Sequence, residues 1–337
     1  MYHHPPRLSI VCPAYQEEEV LPHFHRGLSL ALDPLENEYQ IEIIYVDDGS
    51  RDGTLLVLRR LAEEDARVRY LSLTRNFGHQ AALTAGLAEA RGDLVVMMDS
   101  DLQNPPGLIP ELLRKYREGF DIVLTIRAED PTLGWVKRAT SRAFYRIMGW
   151  LSETEIRPAA ADFRLMTRRA VRALLEMRET HRFLRGMVQW LGFPTAEVTY
   201  QCAPRRAGVT KYTMRRMIGL AVDAVLSFSR WPLRVLILLG LVVASAGAVF
   251  ALSLLVFDAG LGLGWAVVLA ALNLVGGSIL VGLGTVGEYV GRIYEEVKGR
   301  PIYLVKETSE DWSARRYIDF PQRPFLQPAG TSLQRQG

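Results

Sequence analysis

Cysteine is nearly absent: Cys12 and Cys202 are the only two in 337 residues. Two cannot build a disulfide framework, and neither sits at a metal-ligand spacing, so a reducing compartment is expected. Neither sign of charge is in excess. The 40 Lys and Arg stand against 37 Asp and Glu, a net charge of +3, which gives no reason to expect a nucleic-acid partner. Two nucleotide signatures are also missing. No Gly-x-Gly-x-x-Gly follows the first strand, which speaks against a dinucleotide dehydrogenase, and no Gly-x-x-x-x-Gly-Lys-Ser/Thr is found, which speaks against a P-loop enzyme. The opening "MYHHPPRLSIVCPAY" has no long apolar core and no small-residue cleavage site, so a signal peptide is not expected. Internal repeats and low-complexity segments are lacking as well.

Charge is most conspicuously missing near the C-terminal end. Val235 to Phe257 carries none, and after a lone Asp258 the stretch Ala259 to Gly287 carries none. Each exceeds the ~20 residues a helix needs to cross a bilayer. Buried core helices are the plain alternative, but they rarely stay uncharged this long. Small residues such as Gly240, Ala244, Gly276 and Gly282 would let two spans pack closely. The short link has no Lys or Arg, whereas Arg215, Arg216, Arg230 and Arg234 precede the first span and Arg292, Lys298 and Arg300 follow the second. The positive-inside rule then puts both termini in the cytoplasm of a two-span membrane protein. "YTMRRMIGLAVDAVLSFSRWPL" reads as an amphipathic helix lying at the bilayer surface, with Trp231 as its interfacial anchor.

The first 125 residues alternate between apolar runs and amphipathic stretches. "RLSIVCPAY", "YQIEIIYVDD", "VRYLSLTR", "GDLVVMMDSD" and "FDIVLTIR" read as strands. Between them "QEEEVLPHFHRGLSLAL", "GSRDGTLLVLRRLAEED", "GHQAALTAGLAEA" and "GLIPELLRKYREG" read as helices. Such alternation implies an α/β domain with a mostly parallel sheet and helices on both faces. Ligands of these sheets sit beyond the carboxyl ends of the strands. The polar residues gather there, in "CPAYQEE", "DDGS", "RNFGHQ" and "DSDLQ".

In "MMDSDLQNPP" a buried strand ends in Asp99 and Asp101, with Gln103 two residues on. Hard oxygens at this spacing suit Mg²⁺ or Mn²⁺ bound together with substrate phosphates. In "VDDGS", Ser50 and Asp52 are expected to cap the next helix. That leaves Asp47 and Asp48 for a nucleoside, with Pro13, Tyr15 and Glu17 as the facing wall. Arg75 and Asn76 stand at a strand end, and His79, near a helix start, reads as a structural histidine.

Seven ordered blocks carry a family resemblance: "IVCPAYQEEEVLP", "IIYVDDGSRDGT", "RNFGHQAALTAGL", "DSDLQNPP", "ADFRLMTRRAV", "RFLRGMVQWLGF" and "GEYVGRIYEEVKGRPIYLV". Over about residues 8–305 the chain resembles the polyisoprenyl-phosphate glycosyltransferases, inverting enzymes of glycosyltransferase family 2 with a GT-A fold. The branch with two C-terminal spans includes bactoprenol glucosyltransferases and dolichyl-phosphate mannose synthase-like proteins. The resemblance implies that Pro13, Tyr15, Glu17 and Asp48 line the nucleotide pocket. Asp99 would contact the nucleotide side, and Asp101 with Gln103 would hold the divalent cation. Asp162 would stand beside the reacting sugar and Arg164 near the phosphates, although "AAADFRL" lacks the glycine usual before that aspartate. Arg127, Lys137, Arg138 and Ser141 resemble an acceptor loop that grips the lipid phosphate, and Arg206 and Lys211 a basic element before the membrane.

The expected organisation is a cytoplasmic catalytic domain (1–210), an interfacial helix (211–232), a transmembrane hairpin (233–287), a juxtamembrane segment (288–306) and a poorly ordered tail (307–337). The partners implied are a nucleotide-sugar donor, UDP-glucose before GDP-mannose or an amino-sugar nucleotide, and a polyprenyl phosphate acceptor. A homo-tetramer follows by analogy only. Two other readings compete. A processive polysaccharide synthase would need a Gln-x-x-Arg-Trp block that "VQWLGF" lacks. A non-catalytic membrane scaffold would not need Asp99, Asp101, Gln103 and Asp162 together.

Overall fold

The computed structural model describes residues 5–128, 160–201 apart from 178 and 181, isolated helical residues between 236 and 249, and 264–309. Lys137, Arg138, Ser141, Arg206, Lys211 and the interfacial helix lie outside the described residues, as does most of the first expected span.

The strands are β1 (Arg7–Ala14), β2 (Gln40–Asp47), β3 (Val68–Leu73), β4 (Leu94–Met97), β5 (Ile122–Arg127), β6 (Ala160–Thr167), β7 (Thr195–Tyr200) and β8 (Val305–Thr308). They form one sheet in the order β7-β5-β6-β4-β1-β2-β3-β8. Strands β1 to β5 and β7 run parallel, while β6 and β8 run against their neighbours. β1 lies between β2 and β4, so the chain winds outward in both directions from it. That is a topological switch point, where the strand ends diverge and leave a crevice.

Helices cover both faces. α1 (Leu21–Leu32), α2 (Thr54–Glu64) and α4 (Ile109–Arg117) bury Leu21, Phe24, Leu28, Leu58 and Leu112 against Leu8, Ile10, Cys12 and Tyr45. On the other face α3 (His79–Glu89), α5 (Arg168–Glu176) and α6 (Leu184–Trp190) bury Ala82, Leu83, Val171 and Met187 against Val11, Ile44 and Met166. This two-sided burial is why β1, β2 and β4 read as continuous apolar runs. α3 approaches β1 closely because it presents Gly86, where a Cβ would lie 2.3 Å from Val11 Cγ1. α1 starts later than its acidic lead-in implies. Pro22 is tolerated only in a first turn, and Gln16 has already left strand geometry at φ 54°.

One long helix follows, α7 (Gly264–Lys298). At ~1.5 Å per residue its 35 residues extend about 52 Å, well beyond a hydrocarbon core of ~30 Å. Among the described residues it is the one helix long and apolar enough to cross a membrane, over Leu274–Lys298. None of its apolar window is buried inside the protein, and Leu272, Ile279 and Leu280 are largely exposed. A core helix of a soluble domain would be buried.

The chain then returns to the sheet, contrary to two expected boundaries. β8 pairs antiparallel to β3 at its edge, with Leu71 opposite Thr308. The sheet therefore takes a strand from beyond residue 210, and residues 307 and 308, expected in the tail, belong to it. "VKET" has no apolar run to reveal it; pairing makes it a strand. The bidentate Arg59–Glu307 pair and the Thr74 N–H donated to the Leu304 carbonyl at 2.9 Å hold it in place. Because β8 starts opposite the carboxyl end of β3, α7 reaches the domain at the carboxyl-end edge of the sheet.

Candidate active site

The polar loops at this edge knit together before they make a site. After β1, the backbone N–H of Gln16 donates to the Ser50 hydroxyl at 3.0 Å and that of Glu17 to Thr54 Oγ1 at 2.9 Å. Ser50 is thus not the cap expected of it. Nor is Asp52: the cap is Gly53, and Asp52, just before it, accepts both the amide and the hydroxyl hydrogen of Thr54. Asp47 accepts the Ser50 amide at 3.0 Å and the Ser72 hydroxyl at 2.8 Å. Gly49, at φ +65°, lets "DDGS" press on the next loop: a Cβ there would lie 2.3 Å from the Arg75 carbonyl carbon.

Asp48 is buried and accepts the backbone N–H groups of Phe77 at 2.7 Å and Gly78 at 2.9 Å. Burial pushes its carboxyl above the usual range, against the pull of those amides. Its visible work is to shape the loop that launches α3. Pro13 is buried beneath the crevice, where its carbonyl accepts the Ser100 hydroxyl at 2.7 Å. Tyr15 and Glu17 are half-buried on the same loop.

Just beyond β4, Asp99 Oδ1 lies 2.7 Å from His79 Nε2. His79, read from sequence as structural, therefore faces the site from the start of α3. Burial alone would lower its pKa; the Asp99 carboxylate outweighs this and raises it. Asp101 accepts the backbone N–H of Gln103 at 3.1 Å across Leu102, whose φ of 62° is left-handed. A non-glycine residue held there costs of order 1–3 kcal/mol, and such strain clusters at ligand-binding turns.

Asp162 comes from β6, whose antiparallel course starts at the same edge. Side chains two apart share a strand face, so Asp162 and Arg164 both point toward the layer of α3, α5 and α6, as Met166 does. Asp162 is only 4% exposed and sits between two guanidinium groups. Arg185, on α6, forks it with Nε and Nη2 at 3.0 and 2.7 Å, and Arg164 Nη2 donates to Oδ1 at 3.1 Å. Burial would raise this carboxyl, but Arg185 and then Arg164 hold it well below the usual carboxylate range. Arg164 is 0% exposed, between Met97 of β4 and Leu124 of β5. Burial lowers its pKa to about 10. Expected near the phosphates, it lies under the crevice floor as the counter-charge of Asp162.

The ligand atoms of His79, Asp99 and Asp162 lie within 4.8 Å of one another. Asp101 stands outside that group. Two carboxylates and an imidazole can hold a divalent cation, and hard oxygens suit Mg²⁺ or Mn²⁺. The set is already engaged by Arg185, Arg164 and the His79–Asp99 bond. Asp101 and Gln103, the cation ligands expected from sequence, lie on the loop after Asp99, joined by the Gln103 N–H bond to Asp101.

Arg127 ends β5 on the same rim, and a chain of contacts joins it to Asp99. Its Nε donates to the Tyr200 hydroxyl at 3.2 Å, that hydroxyl donates to Asn104 Oδ1 at 2.8 Å, and Asn104 Nδ2 lies 3.4 Å from Asp99 Oδ2. Asn104 is 0% exposed. Sequence reasoning missed Arg185, Asn104 and Tyr200. The only signal for Arg185 was its place in the block "RFLRG"; Asn104 and Tyr200 are separated by 96 residues and carry no mark of their meeting.

The chain is similar to known proteins. The family model for glycosyl transferase family 2 matches residues 9–175. An uncharacterized glycosyltransferase of Synechocystis sp. is 41% identical over 303 residues, 89% of this chain and 95% of that protein. A prophage-derived bactoprenol glucosyl transferase of Shigella flexneri is 39% identical over 308 residues, 90% of this chain and 98% of that protein. Among solved structures, glucosyl-3-phosphoglycerate synthase from Mycobacterium tuberculosis, in complex with Mn²⁺, UDP-glucose and phosphoglyceric acid, is 22% identical with a TM-score of 0.46, covering 66% of this chain and 78% of that one.

Proposed function

The chain belongs to glycosyltransferase family 2, and from that premise we propose that it transfers a sugar from a nucleotide-sugar donor to a polyprenyl monophosphate at the cytoplasmic face of a membrane. The relative named a bactoprenol glucosyl transferase makes UDP-glucose the first donor to test. The observation that carries the reading is one of placement. The exposed apolar helix α7 joins the sheet at the edge that also presents Asp99 and Asp162. A lipid headgroup and a water-soluble donor can meet only at such an edge.

In this reading Pro13, Tyr15, Glu17 and Asp48 shape the nucleoside side of the crevice, and Asp99 lies on the diphosphate side. Asp101 and Gln103 hold a divalent cation, which when bound offsets the charge that builds on the departing diphosphate. An oxygen of the lipid phosphate attacks the anomeric carbon; the new carbon–oxygen bond forms as the bond to the nucleoside diphosphate breaks, inverting the centre. With a second pKa near ~6 that phosphate is largely ionised at neutral pH, so it needs no strong base. Asp162 suits this: held ionised by Arg185 and Arg164, it is a poor proton acceptor. Its use is to steady positive charge on the sugar ring and to orient the reactants. Arg127 on the rim, with Lys137, Arg138, Arg206 and Lys211, supplies cations for the acceptor phosphate, and Ser141 a hydroxyl donor, since guanidinium forks match phosphate oxygens.

The test is transfer of labelled sugar to undecaprenyl phosphate by the full-length protein in detergent or nanodiscs, across UDP-glucose, GDP-mannose and UDP-amino-sugar donors with Mg²⁺ or Mn²⁺. Mass analysis should find a lipid-phosphate sugar. Absence of any lipid-linked product across the panel would leave the membrane scaffold as the better reading.

A further inference from the structure

Near its end α7 makes a contact that the sheet does not require. Glu296 Oε1 accepts the backbone N–H of Thr180 at 2.6 Å, and Oε2 accepts its hydroxyl at 3.1 Å. Thr180 lies 116 residues earlier, in the segment that joins α5 to α6. The return of the chain into the sheet is already secured elsewhere, by β8, by the Leu304 carbonyl and by the Arg59–Glu307 pair.

The segment that Glu296 holds leads directly to the site. Arg182 Nη2 donates to the Met177 carbonyl at 2.5 Å. The Leu184 N–H donates to Gln80 Oε1 at 3.0 Å, and the Gln80 amide nitrogen lies 3.3 Å from His79 Nδ1. The next residue, Arg185, forks Asp162. One end of this short segment is thus fixed to the membrane helix. The other end presents the group that holds Asp162 and, through Gln80, reaches His79, the partner of Asp99.

We propose that Glu296 is a positioning residue for the transfer reaction: by fixing Thr180 to α7 it sets the start of α6, and with it the approach of Arg185 to Asp162. The proposal deepens the lipid-phosphate transfer reading and rests on it for its kinetic test. A carboxylate accepting a backbone N–H is a charge-assisted bond with a defined direction, suited to setting a loop rather than merely attaching it. Small displacements of groups that orient reactants cost rate, up to ~10²-fold for ~1 Å.

The experiment uses the full chain in nanodiscs and compares Glu296→Ala with Glu296→Gln. The glutamine can still accept the Thr180 N–H and can donate to its hydroxyl. Glu296→Ala is expected to lower kcat about 10- to 100-fold with the donor KM within about twofold, while Glu296→Gln stays within about threefold of wild type. Hydrogen exchange gives a readout independent of activity. In Glu296→Ala, residues 182–190 should exchange at least about tenfold faster while residues 303–309 keep their protection. Wild-type exchange at 182–190 in Glu296→Ala, or equal loosening of 303–309, would overturn the proposal and leave Glu296 as a plain anchor. If wild type transfers no sugar, the proposed function fails; the exchange measurement still decides whether Glu296 sets the 182–190 segment.

Discussion

Asp162 and its two arginines allow a prediction in which the order of effects matters more than their size. Replacing Arg185 by Met removes two hydrogen bonds to a carboxylate that is almost wholly buried. Breaking a fully buried ion pair costs ~3–5 kcal/mol. Arg185 is 38% exposed on its side chain, however, and Arg164 still serves Asp162, so the loss is discounted to about 2 kcal/mol. Asp162→Asn leaves a worse residue behind. Arg164 is fully buried, and its Nε and Nη1 already have no hydrogen-bond partner. Taking away its carboxylate strands a cation, and the full ~3–5 kcal/mol applies. Asp162→Asn must therefore destabilise more than Arg185→Met, and the double variant must fall short of their sum by ~1–3 kcal/mol, as contacting pairs do. Thermal unfolding of the purified full-length protein in detergent measures all three. At roughly 2–4 °C per kcal/mol for a domain of this size, the single variants should melt about 4–8 °C and about 6–20 °C lower. Equal shifts for the two singles, or strict additivity in the double, would refute the assignment of Arg164 as the dependent partner.

Three other expectations follow from the site. The pKa of His79 is raised in the folded state, so its contribution to stability is complete below ~6.5 and lost as pH rises through the folded value; melting temperature should fall over that alkaline limb in wild type and stay flat in His79→Gln. Gly49→Ala forces a side chain into a left-handed position and against the Arg75 backbone, and should cost of order 1–3 kcal/mol, read as lower folded yield and melting temperature. Arg59→Ala removes a half-exposed ion pair on β8, which solvent screens, and should leave both melting temperature and sugar transfer close to wild type.

Much of the sheet was legible because its strands announce themselves. "RLSIVCPA", "QIEIIYVD" and "LVVM" are apolar on both faces, as central parallel strands must be, and their polar ends mark the crevice. Asp99 and Asp101 could be singled out for that reason, whereas Asp162 was reached only through the family resemblance. β6 was harder: in "AADFRLMT" a carboxylate and a guanidinium alternate with core residues, so the strand reads as chemistry before it reads as structure. The contacts that give Asp162 its character come from another element, Arg185 on α6, and local patterning cannot pair them. His79 illustrates the same limit. Its neighbours in sequence make it an ordinary helix start, and only the juxtaposition of β4 and α3 places it on Asp99. β8 was invisible because "VKET" has neither apolar alternation nor turn signals, and its structure comes wholly from β3.

The placement of β8 also orders events during synthesis. Translation proceeds from the N-terminus at ~5–20 residues per second, and domains fold as they emerge. β1 to β7 can assemble while α7 is still unmade, but β3 then waits with an open edge, its N–H and C=O groups free to recruit a wrong strand. That edge closes only when the chain beyond α7 arrives. Closure of the sheet thereby reports that the helix has been made, and a chain cut before residue 305 would carry an uncovered strand into the cell.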